Sequence, residues 1–169
     1  MGRIAILVIL VILILVLAYL WLQGSEIVQP VQFNHLKHTK EVGLSCEDCH
    51  IYFKTQRFSG LPSMEICAGC HSEPQGKSKE EAKVVNAIKE GKTIEWQRIY
   101  RTKRSVIYSH RLHIVVGKLE CKVCHGDIAD AIRPPRRPLV KISMDHCRDC
   151  HRKMKVSNDC ITCHEINLE

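Results

Sequence analysis

A chain of 169 residues has room for one domain, or for a short domain plus a membrane segment. A large share of its aliphatic side chains falls in the first 22 residues and only 5% of the chain is aromatic, which excludes a protein built on an ordinary hydrophobic core. The net charge of +7, from 25 Lys plus Arg against 18 Asp plus Glu, admits nucleic acid, anionic lipid or a bound polyanion, whereas ten cysteines beside ten histidines exclude a plain intracellular fold and a plain disulfide scaffold.

Residues 4–22 run without a charge, almost all Ile, Leu and Val, and close on Tyr19 and Trp21 where an interfacial aromatic belt would lie. This predicts a transmembrane helix, with residues 1–23 as an N-terminal anchor. Residues 16–18 could pass as a weak signal-peptide cleavage site, but the apolar run is longer than a usual signal h-region and continues past them. With no cysteine near its end, a lipoprotein anchor is excluded. Arg3 lies on one side of the helix and the first basic residue on the other is Lys37. The amino terminus is therefore expected in the cytoplasm, and residues 24–169 on the periplasmic side of the cytoplasmic membrane.

All ten cysteines fall in one pattern, CxxCH, numbered here as sites 1 to 5. Site 1 is Cys46, Cys49, His50; site 2 is Cys67, Cys70, His71; site 3 is Cys121, Cys124, His125; site 4 is Cys147, Cys150, His151; site 5 is Cys160, Cys163, His164. Two thiols at this spacing add across the haem vinyl groups while the adjacent imidazole reaches the iron, so the pattern predicts five covalently bound c-type haems. Zinc ribbons also use paired CxxC motifs, but zinc has no need of a histidine after each second cysteine. With about 29 residues per cofactor the side chains cannot form a core, so the porphyrins are expected to be the apolar interior, close enough to exchange electrons. The propionates of five haems also account for the excess of Arg and Lys, which removes the main support for nucleic acid.

Five histidines stand outside the motifs: His35, His38, His110, His113 and His146. Phe33-Asn34-His35-Leu36-Lys37-His38 precedes Cys46 by the interval at which Tyr108-Ser109-His110-Arg111-Leu112-His113 precedes Cys121. Ser63-Met64-Glu65-Ile66 leads into Cys67 as Ser143-Met144-Asp145-His146 leads into Cys147. The reading is a duplicated two-haem unit, residues 33–75 and 108–155, with a fifth haem at 160–164. His35, His38, His110 and His113 are expected as distal iron ligands; for the remaining iron His146, Met144 and Met154 all stand open. If every iron has two protein ligands, the haems carry electrons and do no bond chemistry.

Between the units, Ser78 and Glu81 read as a capping box, and Ala82, Val84, Val85 and Ile88 as the apolar stripe of a helix over 79–90 that ends before Gly91. Residues 131–141, with Pro134, Pro135 and Pro138 among Arg133, Arg136 and Arg137, predict an extended, irregular arm whose arginines meet propionates or a docking partner. The remainder offers no strand periodicity, so the fold class is a multihaem cytochrome c, mostly irregular with short α-helices around a haem core.

The order of these elements, together with Gly91-Lys92-Thr93-Ile94-Glu95-Trp96-Gln97-Arg98-Ile99-Tyr100 and Cys121-Lys122-Val123-Cys124-His125-Gly126, resembles the pentahaem cytochrome subunit of alternative complex III over residues 32–163. The GKxIEW segment is its more specific part, since CxxCH and HxxH occur across class III multihaem cytochromes. The resemblance implies an electron-transfer subunit, not catalytic alone, of a quinol-oxidising respiratory or photosynthetic membrane complex. It also implies an iron–sulfur and molybdopterin-enzyme-like subunit and polytopic quinol-site subunits as partners, and a periplasmic acceptor or terminal oxidase. A related quinone-reducing complex has a similar subunit and runs electrons the other way. Two readings compete: a free-standing, membrane-tethered quinol dehydrogenase feeding a periplasmic reductase, and a catalytic multihaem reductase.

Overall fold

The computed structural model describes residues 2–22 and 26–165; the side chains of residues 3, 5 and 20–22 fall outside that description. Helix α1, Gly2–Leu22, has 21 residues, and its described side chains are exposed. Among the described residues no helix is long and apolar enough to cross a membrane. The described side chains of α1 are continuous only over residues 6–19, so the span expected of residues 4–22 and the Trp21 half of its aromatic belt extend outside the described residues. The expected boundary at residues 23–24 lies outside them as well.

The remaining helices are short, because Cys, His, Gly and Pro interrupt any longer run. They are α2, Cys46–Cys49; α3, Met64–His71; α4, Lys79–Lys89; α5, Lys122–His125; α6, Met144–Met154; and α7, Cys160–Cys163. Two π-helical turns, Lys37–Glu41 and Leu112–Val116, begin within the two HxxH segments and contain His38 and His113. No strand forms among the described residues beyond an isolated antiparallel bridge between Val106 and His164.

Capping residues explain where these helices begin and end. Asp48 accepts from the Ser45 amide at 2.6 Å and from its hydroxyl at 2.9 Å, closing the start of α2. The Ser143 hydroxyl accepts the His146 N–H at 3.2 Å at the start of α6. Helix α4 ends in a Schellman motif: Gly91, at φ +63°, donates to the Ile88 carbonyl and Lys92 to that of Ala87.

Two features of α4 depart from expectation. Ser78 accepts from the Glu80 amide at 3.2 Å, while the Glu81 carboxylate turns away from the helix start to the His71 ring and the Gln75 amide, so the reciprocal half of the capping box does not form. The inward face consists of Glu81, Val84, Val85 and Ile88, and Ala82 is exposed. Positions 81, 84, 85 and 88 have the i, i+3, i+4, i+7 spacing of one stripe, so a carboxylate occupies a place that hydrophobicity alone assigned to Ala82.

Side-chain packing is thin. Among the described residues only Val31, Val85 and the polar Gln29 are buried. Hydrogen bonds hold the loops instead. Gln29 and Gln97 exchange a reciprocal pair, Gln29 Nε2 to the Gln97 carbonyl at 2.7 Å and the Gln97 amide to Gln29 Oε1 at 2.9 Å. The Ile27 amide donates to the Arg136 carbonyl at 3.0 Å, and the Arg136 guanidinium meets Glu26 at 2.7 Å. Arg57 joins the two units: its side chain donates to the carbonyls of Tyr108 and Val106, and its own carbonyl accepts the His110 amide at 2.9 Å, while the Leu36 amide and Thr39 hydroxyl donate to the carbonyls of Ala131 and Ala129. The arm over 131–141 is irregular, as its prolines require.

Candidate haem sites

At each motif a helical turn sets the local geometry. The amides of His50, His125 and His164 donate to the carbonyls of Cys46, Cys121 and Cys160, each at 2.9 Å, which brings the histidine back beside the first cysteine. Sites 2 and 4 sit inside the longer helices α3 and α6, where the i, i+3, i+4 spacing has the same effect. All ten cysteines are free of disulfides.

The distal histidines come from the two HxxH segments, which share one conformation. His38 and His113 each donate Nδ1–H to the carbonyl four residues earlier, Asn34 and Ser109, at 2.8 Å in both cases. Phe33 stacks on His38 with ring centroids 4.3 Å apart, and Tyr108 stacks on His113 at 4.7 Å. The same two aromatic rings stand edge-on to His35 and His110.

Three pairs of imidazoles then face one another across space. His38 and His71 have ring centroids 6.2 Å apart, His110 and His125 6.3 Å, and His113 and His151 6.2 Å. An iron between two trans imidazoles needs a metal–nitrogen bond of about 2.0 Å and about 1.15 Å from nitrogen to ring centre on each side, so about 6.3 Å in all. The spacing is that of a bis-histidine iron, and it is too wide for two ligands on one tetrahedral zinc. Among the described residues no three His, Cys, Asp or Glu side chains converge on one metal position.

The tautomers agree with this use. Nδ1 is committed to an acceptor in His38, His113 and His110, and likewise in His50 (Gly60 carbonyl, 3.2 Å), His71 (Glu81, 3.0 Å) and His151 (Ser157 carbonyl, 2.6 Å), which leaves Nε2 for a metal. Burial lowers the pKa of His110 and His125, and that of His35 to about 4, so these rings stay neutral as ligation requires. Among the described residues His35 Nδ1 is buried without a hydrogen-bond partner. A cavity of about 500 Å³ beside Cys46 and Cys121, walled by Phe53, Ile114 and Val115, is apolar and large enough for a flat macrocycle. The residues present fit haem.

Burial raises the pKa of the Cys49, Cys121, Cys124 and Cys147 thiols.

Residues 21–96 match the class III cytochrome c family, and residues 106–165 match cytochrome c7 and related cytochromes c. A relative from Nitratidesulfovibrio vulgaris (strain Hildenborough), "Menaquinone reductase, multiheme cytochrome c subunit", is 31% identical over 165 residues, covering 83% of this chain and 79% of its own. The chain belongs to the multihaem cytochromes c of class III and c7 type. Cytochromes of this family bind haem covalently through CxxCH and carry electrons. The resemblance expected from the sequence thus holds at the level of the family, and the relative is a menaquinone reductase subunit rather than one of alternative complex III.

For this cytochrome the structure sets His38 opposite His71, His110 opposite His125 and His113 opposite His151. His146 is half-buried on α6, directly before Cys147, whose thiol senses Cys163 of site 5. Of the methionines left open by the sequence, Met144 is exposed, and Met154 Sδ lies 3.9 Å from Cys150 Sγ, beside site 4. Arg136 meets Glu26, a partner the sequence did not suggest.

Two residues beside the sites escaped the sequence reading. Glu81 was assigned to a cap. Tyr100 closes the GKxIEW segment, and its ring stands edge-on to His125 with centroids 4.5 Å apart. Its hydroxyl accepts the Leu139 amide at 2.9 Å, which pins the proline-rich arm behind site 3.

Proposed function

We propose that this chain is a membrane-anchored pentahaem electron relay within a quinone-linked membrane complex, and that the complex is of the quinone-reducing kind. The observation that carries the relay reading is the set of opposed imidazole pairs, since an iron held by two histidines has no position left for a substrate. The ligand pairs are His35 with His50, His38 with His71, His110 with His125, His113 with His151, and His146 with His164. The ten CxxCH cysteines bind the five haems. Bound haem supplies one-electron storage and transfer; the protein supplies the imidazoles, their orientation and their spacing.

The choice of complex is supported by the menaquinone reductase relative, and a quinol-oxidising complex of the alternative complex III type is the second reading, favoured by the GKxIEW segment. Helix α1 is the anchor: 21 residues at 1.5 Å each reach about 31 Å, the thickness of the hydrocarbon core. The haem domain lies on the periplasmic side of the cytoplasmic membrane. Its partners are an iron–sulfur or molybdopterin-enzyme-like subunit, polytopic quinone-site subunits and a periplasmic redox protein.

Purification from membranes in mild detergent, with mass spectrometry of what accompanies the chain, tests the proposal. Recovery with iron–sulfur and polytopic subunits is expected, and the reduced complex should be reoxidised by a menaquinone analogue. Recovery alone with quinol oxidation intact would make it a free-standing quinol dehydrogenase. Extraction by salt without detergent would refute the anchor.

A further inference from the structure

Sites 2 and 4 are near copies. In each, the distal histidine donates Nδ1–H to a carbonyl at 2.8 Å, an aromatic ring stacks on it, and it faces its proximal partner at 6.2 Å. The proximal sides differ. His151 Nδ1 meets the main-chain carbonyl of Ser157, a partial charge, whereas His71 Nδ1 meets the Glu81 carboxylate, a full one. The carboxylate is built in: Glu81 Oε1 also accepts the Gln75 amide at 2.6 Å, and the Glu81 side chain is 12% exposed against 22% for His71.

A carboxylate that accepts the Nδ1–H of a metal-binding histidine fixes the ring, raises its donor strength, and sets a negative charge close to the metal. Both effects favour the ferric over the ferrous state. We propose that Glu81 is a positioning residue that acts through His71 to set the reduction potential of the site 2 haem below that of its structural twin at site 4. This goes beyond the relay reading, because it ranks two sites by a named side chain.

The test is a potentiometric titration of the full-length holoprotein in detergent, followed optically and by electron paramagnetic resonance. In Glu81→Gln one midpoint should rise by about 59 mV, a tenfold change in that site's redox equilibrium, with the remaining midpoints in place. Glu81→Asp, which keeps the charge, should recover part of the shift. Unchanged midpoints in Glu81→Gln with the haem content intact would overturn the proposal. If Glu81→Gln fails to retain haem, the wild type decides: one haem should show the narrower g-anisotropy of a histidine with imidazolate character, and its absence would overturn the proposal. Midpoints are read without quinone or partner subunits, so their outcome is separable from failure of the proposed complex.

Discussion

Removing the Tyr100 hydroxyl should loosen the arm behind site 3 without disturbing the site itself. The hydroxyl accepts the Leu139 amide at 2.9 Å and the Val140 amide at 3.4 Å, and donates to the His125 carbonyl at 3.4 Å. The short bond contributes about 1 kcal/mol net and the two long ones a few tenths each, so Tyr100→Phe should cost about 1.5 kcal/mol. Leu139 is exposed, so water can replace the lost partner of its amide and the cost stays below that of a buried orphan. For a domain of this size the thermal midpoint should fall by about 3–6 °C. Arg133 and Arg137 precede prolines, so trypsin should cut first at the Arg136–Arg137 bond, and faster than in the wild type. Because the ring remains edge-on to His125, midpoint potentials should not change in Tyr100→Phe. Tyr100→Ala also removes a ring contact of about 0.5–1.5 kcal/mol and should move one of them. A Tyr100→Phe protein that melts at the wild-type temperature and is cut at the wild-type rate would refute the assignment of the arm to this hydroxyl.

Replacing a facing histidine tests ligation directly: His113→Ala should give a high-spin component that binds carbon monoxide, seen in the reduced difference spectrum and absent from the wild type. A fully low-spin His113→Ala protein would remove His113 from the coordination of site 4. Glu80 ties α4 to the segment before the first HxxH, accepting from Lys83 and from the Gln32 amide at 2.7 Å. The Lys83 bond, then the Gln32 amide, holds its carboxyl below the ordinary 4.5, so this tie is fully present above pH 4.5 and is lost as pH falls through the lower folded value. The protection factor of the Gln32 amide should therefore fall in acid in the wild type and be low at every pH in Glu80→Ala; equal protection in both would contradict the tie.

How much was legible beforehand depended on whether a feature is local in the chain. Covalent haem attachment needs two thiols and an imidazole within five consecutive residues, so CxxCH declares itself without a fold. The shared HxxH conformation is local too, set by a bond from each second histidine to a carbonyl four residues back. The scarcity of core-forming residues after α1 foretold the thin packing, with Val31 and Val85 the buried apolar side chains among those described.

Contacts between distant segments were not legible. That His38 faces His71 and His113 faces His151 depends on how each HxxH turn docks against a helix more than thirty residues away, which no spacing rule encodes. The Arg57 bonds that join the two units are likewise contacts between distant segments. Glu81 illustrates the physical reason most directly. Helical periodicity names a stripe but leaves its rotation free by one position, and the docking of α4 on α3 turned Glu81 inward and Ala82 outward. Sequence alone marked the residues expected to hold haem; tertiary structure decided which histidines meet and which carboxylate stands behind one of them, because those are through-space contacts between segments that the chain keeps apart.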